Sequence, residues 1–222
     1  MTTPGDFSNA GSVMVGKNST LTIGSGGANN YTQSGGASLK VNGSLTAAIA
    51  FINGGTLSGS GTIVANVNNS GGIVTASDPG SPDILTMHSS YAQGAGGTLE
   101  AFLGGVAAGT GYSQLDVTGT ATLGGTLDVD LATGSNFTPA AGEGFFVLLA
   151  NNGVNGMFSG VDFADAPLPS GDTWSVVYNP NNVELEVNGP TTATPEPSGL
   201  LLFGTALAMA AFLGMRKVVT AS

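Results

Sequence analysis

The sequence predicts an all-β body in which short coils stack into a β-solenoid, an antiparallel β cap closes the C-terminal end, and a single transmembrane-type apolar helix follows. Three observations predict it. Strand-sized runs rich in Val, Ile, Thr and Leu recur between Gly, Asn and Ser turns. No stretch before residue 199 sustains a 3.6-residue apolar period. Several runs echo one another along the chain, the signature of a repeat architecture. A β-sandwich is the alternative fold for the same pattern.

The chain enters this pattern at once. "MTTPGDFSNAGSVMVGKNSTLTI" lacks the basic region, apolar core and small-residue cleavage site of a secretory signal, so it reads as a start set inside the pattern or as a fragment. The runs "SVMV", "STLTIG", "ASLKVNGSLT", "GGTLSGSGTIVANV", "GGIVTA" and "GGTLEAFL" follow. "YTQSGGASLKV" at Tyr31–Val41 is echoed by "YAQGAGGTLEA" at Tyr91–Ala101, and "GGTLSGSGTI" at Gly54–Ile63 by "TLGGTLDVDL" at Thr122–Leu131. Glycine and asparagine suit the corners such coils need. With coils of roughly 20 residues, 9–134 would make about six of them, and the solenoid region is set at 1–134.

From 135 to 189 the texture changes. Phe145, Phe146, Leu148, Trp174, Val176, Tyr178, Val183, Leu185 and Val187 hold most of the bulky apolar side chains, and "YNPNNVELEV" reads as a hairpin turning at Asn179–Asn182. Such a segment covers the last coil, whose open edge would otherwise invite aggregation. "GPTTATPEPS" supplies an extended linker over 190–198, and 199–222 holds an apolar run ending in Arg216 and Lys217. As a helix, Gly199–Met215 would reach about 25 Å across a hydrocarbon core of about 30 Å. The basic pair would stay cytoplasmic and the body would face outward.

Composition narrows the function. Against fourteen Asp and Glu the chain has four Lys and Arg, two of them Arg216 and Lys217. An acidic body without clustered bases is a poor partner for nucleic acid. The absence of cysteine removes disulfides, thiolate zinc sites and a cysteine nucleophile. No cofactor or metal motif occurs.

The tail, Pro195–Glu196–Pro197 with Ser198, the apolar stretch behind it and the basic Arg216–Lys217, resembles the PEP-CTERM sorting domain of Gram-negative bacteria. That resemblance implies a membrane partner: an exosortase-type cysteine protease that recognises the Pro-Glu-Pro region, removes the tail and passes the body to the cell surface or an exopolysaccharide matrix. It also implies transient contact of 199–215 with membrane lipid. Prolines flanking the glutamate keep the backbone extended, as a protease substrate requires. The stretch Gly54–Leu131 resembles the repeat region of autotransporter passenger and related surface proteins, which implies a right-handed β-helix.

Reactive constellations are sparse. His88 is the single histidine and reads as a solvated strand residue. Asp128 and Asp130 share one strand face, as an acid/base pair of a polysaccharide-active β-helix enzyme would, although no third carboxylate stands in an obvious register. Asp162 with Asp165, and Asp78 with Asp83, read as loop oxygens for adventitious calcium. Threonines in "STLTIG" and "TGTATLGGT" suggest a water-ordering, ice-binding face, with irregular spacing in the sequence. Tyr31, Tyr91 and Tyr112 read either as core residues or as a surface on which sugars stack. The expected function is therefore non-enzymatic: an exported surface or matrix protein for adhesion or structure.

Overall fold

The computed structural model describes residues 1–78 and 80–190. The contacts divide the chain into a unit at Met1–Gly189 and another at Pro190–Ser222. The expected linker motif and apolar helix at 191–222 lie outside the described residues. Among the described residues no helix is long and apolar enough to cross a membrane, and the helical content is a single 3-10 turn at Ser25–Gly27.

The first unit is all-β, and its strands pair in parallel from one turn of the chain to the next, not antiparallel as in a β-sandwich. Three ladders run through it. One joins Thr2–Thr3, Thr20–Ile23, the first half of Ser44–Ile52, the first half of Thr62–Asn69, Ile84–Met87, Gln114–Val117 and Gly144–Ala150. A second joins Phe7–Asn9, Tyr31–Gln33, the later halves of Ser44–Ile52 and Thr62–Asn69, Tyr91–Gln93, Ala121–Leu123 and Val154–Gly156. The third joins Ser12–Val15, Ser38–Val41, Thr56–Ser58, Ile73–Thr75, Thr98–Leu103, Thr126–Leu131 and Gly160–Asp162. Each turn of chain gives one strand to each ladder, an arrangement consistent with a β-solenoid.

Alternation on every strand sends one set of side chains inward, where they stack on the same station of the next turn. Leu21, Leu45, Ile63, Met87, Val117 and Ala150 form one such column and Leu39, Leu57, Val74, Leu99 and Leu127 another, all buried. In the second ladder the smaller Ala50 and Val67 separate the two large rings of Tyr31 and Tyr91, and Ala121 follows. The echo between Tyr31–Val41 and Tyr91–Ala101 is a repeat of one buried polar lock. Asn9 donates to the Tyr31 hydroxyl at 2.8 Å, which donates to Gln33 Oε1 at 3.1 Å. Sixty residues on, Asn69 donates to the Tyr91 hydroxyl at 3.5 Å, which donates to Gln93 Oε1 at 2.6 Å. Burial pushes the Tyr31 hydroxyl up to about 12 and raises that of Tyr91 as well.

The expected boundary at residue 134 is corrected, because parallel pairing continues through Gly144–Asp162 as a further turn. Antiparallel pairing begins with the hairpin Thr173–Asn179 and Asn182–Asn188, which turns where the sequence places it and lies against Gly144–Ala150. Trp174 donates to the Ala166 carbonyl at 2.9 Å and stacks on Phe163 at 5.2 Å, and Tyr178 packs on Phe158. Aromatic bulk thus shields this end of the core.

Candidate functional site

The most concentrated chemistry sits on the outward face of the third ladder. Its strands begin at a Gly-Gly pair, as in "GGTLS" from Gly54, "GGIVT" from Gly71, "GGTLE" from Gly96 and "GGTLD" from Gly124. The fifth position of each run therefore stacks on the fifth position of the next. Ser58, Thr75, Glu100, Asp128 and Asp162 form one outward column. Asp130, two residues beyond Asp128, faces the same way opposite Phe102.

This corrects the expectation that no third carboxylate stands in register with Asp128. Glu100 lies beneath it and Asp162 above it, so Asp162 is a strand residue and not a loop oxygen. Its Oδ1 accepts from the Ala164 backbone N–H at 2.8 Å. Asp165 is exposed just beyond, its carbonyl accepting from Leu131 N–H at 3.0 Å. A groove of about 260 Å³ opens beside Glu100, lined also by Thr56, Ser58, Thr75, Ser77 and Phe102. At its floor the Thr75 and Ser77 hydroxyls are hydrogen-bonded to each other at 3.1 Å.

Carboxylates stacked at strand spacing repel one another. Glu100 is raised above the ordinary carboxylate range by partial burial, then by Asp130 and Asp128, with a Thr75 hydrogen bond pulling the other way. Asp128 is raised by partial burial, then by Asp162 and Asp165. Asp130 is raised by partial burial, then by Asp128, Asp165 and Asp162. One carboxylate oxygen from each of Glu100, Asp128 and Asp130 lies within 4.8 Å of those of the other two, which makes them the residues able to share a proton or to meet a hard cation.

A pH dependence follows. Because the folded state holds these protons more tightly than the unfolded chain, the column favours folding below the ordinary carboxylate range, and that advantage is lost as pH rises through and above it. Asp128→Asn removes the central charge, and each exposed like-charge contact costs about 0.2–1 kcal/mol. The variant is expected to melt about 1–3 °C higher than the parent at pH 7 and at the same temperature at pH 3. Thermal melts across pH check this, and equal shifts at both pH values would contradict it.

Threonines that look irregular along the chain are regular in space. Thr20 pairs with Ser44, Ser44 with Thr62 and Thr62 with Thr86, while Thr2, Thr22, Thr46 and Val64 form a parallel column two residues over. His88 is exposed, as expected, but it lies in a bend just past the strand Ile84–Met87 and not on a strand face, its backbone N–H bonded to the Ile63 carbonyl at 2.8 Å.

Other sequence candidates separate. Tyr31 and Tyr91 are 0% and Tyr112 is 5% exposed, so the sugar-stacking reading of these rings is overturned and they are core residues. Asp83 accepts from its neighbour Ile84 N–H at 2.8 Å. Pro195, Glu196, Pro197, Ser198, Arg216 and Lys217 lie outside the described residues. Sequence reasoning missed Glu100 and Asp162 as partners of Asp128, and the signal that would have found Glu100 was the shared "GGTL" before Glu100 and Asp128. No family model matches the chain, and no curated protein matches it.

Proposed function

We propose that this chain is an exported bacterial cell-surface or exopolysaccharide-matrix protein with a structural or adhesive role, sorted by an exosortase-type membrane protease through Pro195–Glu196–Pro197. The body is read as a right-handed β-solenoid, the hand that parallel crossover connections almost always take. One observation carries the proposal: a body of stacked parallel turns is joined, through the Pro/Thr-rich stretch from Pro190, to a Pro-Glu-Pro motif, an apolar run and two bases in that order. The route runs through the inner membrane, with 199–215 in lipid and the body facing outward, then to the surface or matrix.

The experiment alters the address alone. Pro195→Ala with Pro197→Ala relaxes the extended backbone that a protease grips and leaves the apolar run intact. The double variant is expected to accumulate full-length in the inner-membrane fraction, whereas the parent reaches the surface fraction. Equal surface delivery of both would contradict the reading.

The registered threonines favour a second reading, an ice-binding face. Side chains of these columns, most of them threonine, repeat about every 4.8 Å along the stack and about 6.7 Å along each strand, and such spacing suits ordered water. On this reading the protein produces thermal hysteresis and faceted ice crystals, and Thr46→Lys with Thr62→Lys abolishes both. Ordinary round crystals from the parent would end it.

A further inference from the structure

The groove beside Glu100 joins three kinds of surface. Its floor is the pair of buried hydroxyls of Thr75 and Ser77, which are 3% and 1% exposed, flanked by the half-buried Thr56 and Ser58. One wall is the excursion Ser77–Pro82, whose Gly80 lines the groove. That wall is tied down. The Gly80 carbonyl accepts from the Thr133 N–H at 2.9 Å, and a methyl group on Gly80 would overlap the Thr133 side chain. The other wall is the outward face of Thr98–Leu103, with Glu100 and the half-buried Phe102 two residues apart.

Strand pairing sets these groups on a grid. Phe102 stands opposite Asp130 and Glu100 opposite Asp128, about 4.8 Å apart across the strands and about 6.7 Å along them. The ring is thus bordered by three carboxylates, and 78–189 contain no Lys or Arg. Lys40, the base of this column, stands three strand spacings or about 14 Å from Glu100. At physiological ionic strength, charges beyond about 8 Å are largely screened. The three carboxyls are raised first by burial and then by neighbouring acids, and a cation among them removes the second cause. At about 260 Å³ the groove is smaller than the roughly 300–1,000 Å³ of sites for drug-sized ligands, so it suits one unit of a chain and not a large compact molecule.

We propose that this groove binds a polysaccharide of basic amino sugars, one ring resting on Phe102 with its ammonium group among Glu100, Asp128 and Asp130. A sugar ring supplies an apolar C–H face for the aromatic side chain, and hydroxyls that donate to and accept from Thr56 and Ser58. The ammonium supplies three donors to carboxylates that only accept. An acidic polysaccharide would set carboxylate against carboxylate, and a neutral one would leave the charges of this wall without a partner. A polyamine would meet the acids but leave the ring and the hydroxyls unused. The proposal rests on the matrix reading for the place where such a chain is met, and it names the ligand class which that reading lacks.

Calorimetry of the purified full chain in mild detergent at about pH 6 tests it, with a glucosamine oligomer as ligand beside its N-acetylated counterpart, a galacturonate oligomer and spermidine. The glucosamine oligomer is expected to bind with a Kd below about 1 mM, and about tenfold or more tightly than the other three. Glu100→Gln with Asp130→Asn, and separately Phe102→Ala, are each expected to raise that Kd about tenfold or more in chains that still melt cooperatively. Equal affinity for the N-acetylated oligomer or for spermidine would overturn the proposal on the parent chain alone. So would the absence of binding at millimolar glucosamine oligomer, or a Kd that Phe102→Ala leaves unaltered. Every readout uses purified protein, so failure here leaves the sorting route standing, and failure of the sorting route leaves these affinities unchanged.

Discussion

Gly55→Ala is expected to cost about 3–5 kcal/mol and to lower the melting temperature by roughly 6–20 °C. Gly55 has φ +67°, and a methyl group there would overlap the Ala37 carbonyl oxygen of the turn beneath. That obstacle is backbone, already bonded to the Thr56 N–H at 3.0 Å, so it cannot swing aside as a flexible side chain would. Gly36 provides the internal control. Its φ is +78°, close to that of Gly55, but nothing lies within 4 Å of a Cβ built there. Gly36→Ala therefore carries the left-handed backbone cost alone, about 1–2 kcal/mol. The difference between the two variants measures how closely successive turns are stacked, and equal melting temperatures would contradict the close approach.

Gln93→Leu is expected to cost about 2–4 kcal/mol, or a melting temperature lower by roughly 4–16 °C. Gln93 is 4% exposed. Its amide donates to the carbonyls of Gly97, Gly124 and Thr126 at 3.1, 2.8 and 2.9 Å, and its Oε1 accepts from Tyr91. Leucine fills the space but takes a donor from the Gly124 and Thr126 carbonyls and the acceptor from the Tyr91 hydroxyl, while the Gly97 carbonyl keeps the Thr126 N–H at 3.0 Å. Burying polar groups without partners costs more than the hydrogen bonds contribute when made. One station of the same ladder shows what apolar replacement requires. Ile52 stands between Gln33 and Asn69, so an apolar residue fits where its neighbours' polar groups find other partners. Chemical denaturation of Gln93→Leu and Gln93→Glu checks the mechanism. A stability loss below about 1 kcal/mol for Gln93→Leu would mean that the lock contributes little.

Much of this architecture was legible. The Tyr31–Val41 and Tyr91–Ala101 echo marks two copies of the same buried lock, and the "GGTL" runs mark the start of the third ladder. Turn length was not legible. Register offsets from one turn to the next are 20, 24, 18, 24, 30 and 33 residues, taken at Thr2, Thr20, Ser44, Thr62, Thr86 and Asp116 of the first ladder. The extra residues lie in excursions such as Ser77–Pro82 and the segments after Leu103 and Leu131, which leave the ladders and rejoin them without shifting register. Loop insertions of this kind cost little free energy and erase any fixed period. This is why Glu100, Asp128 and Asp162, 28 and 34 residues apart, did not look like neighbours, and why the threonine columns looked irregular. The last turn was taken for cap because Phe145, Leu148 and Phe146 resemble the hairpin in composition, although Leu148 pairs in parallel with Leu115.

The proposed sorting of the chain through its tail makes one central claim: the body is delivered to the surface or matrix and the tail is removed on the way. Mass spectrometry of the C-terminus of the protein recovered from the surface or matrix fraction, with the exosortase-type protease present and absent, tests it most directly. The account predicts a terminus close to Pro197 when the protease is present, and full-length chain ending at Ser222 held in the membrane when it is absent. An intact Ser222 in the surface fraction of cells that carry the protease would contradict it.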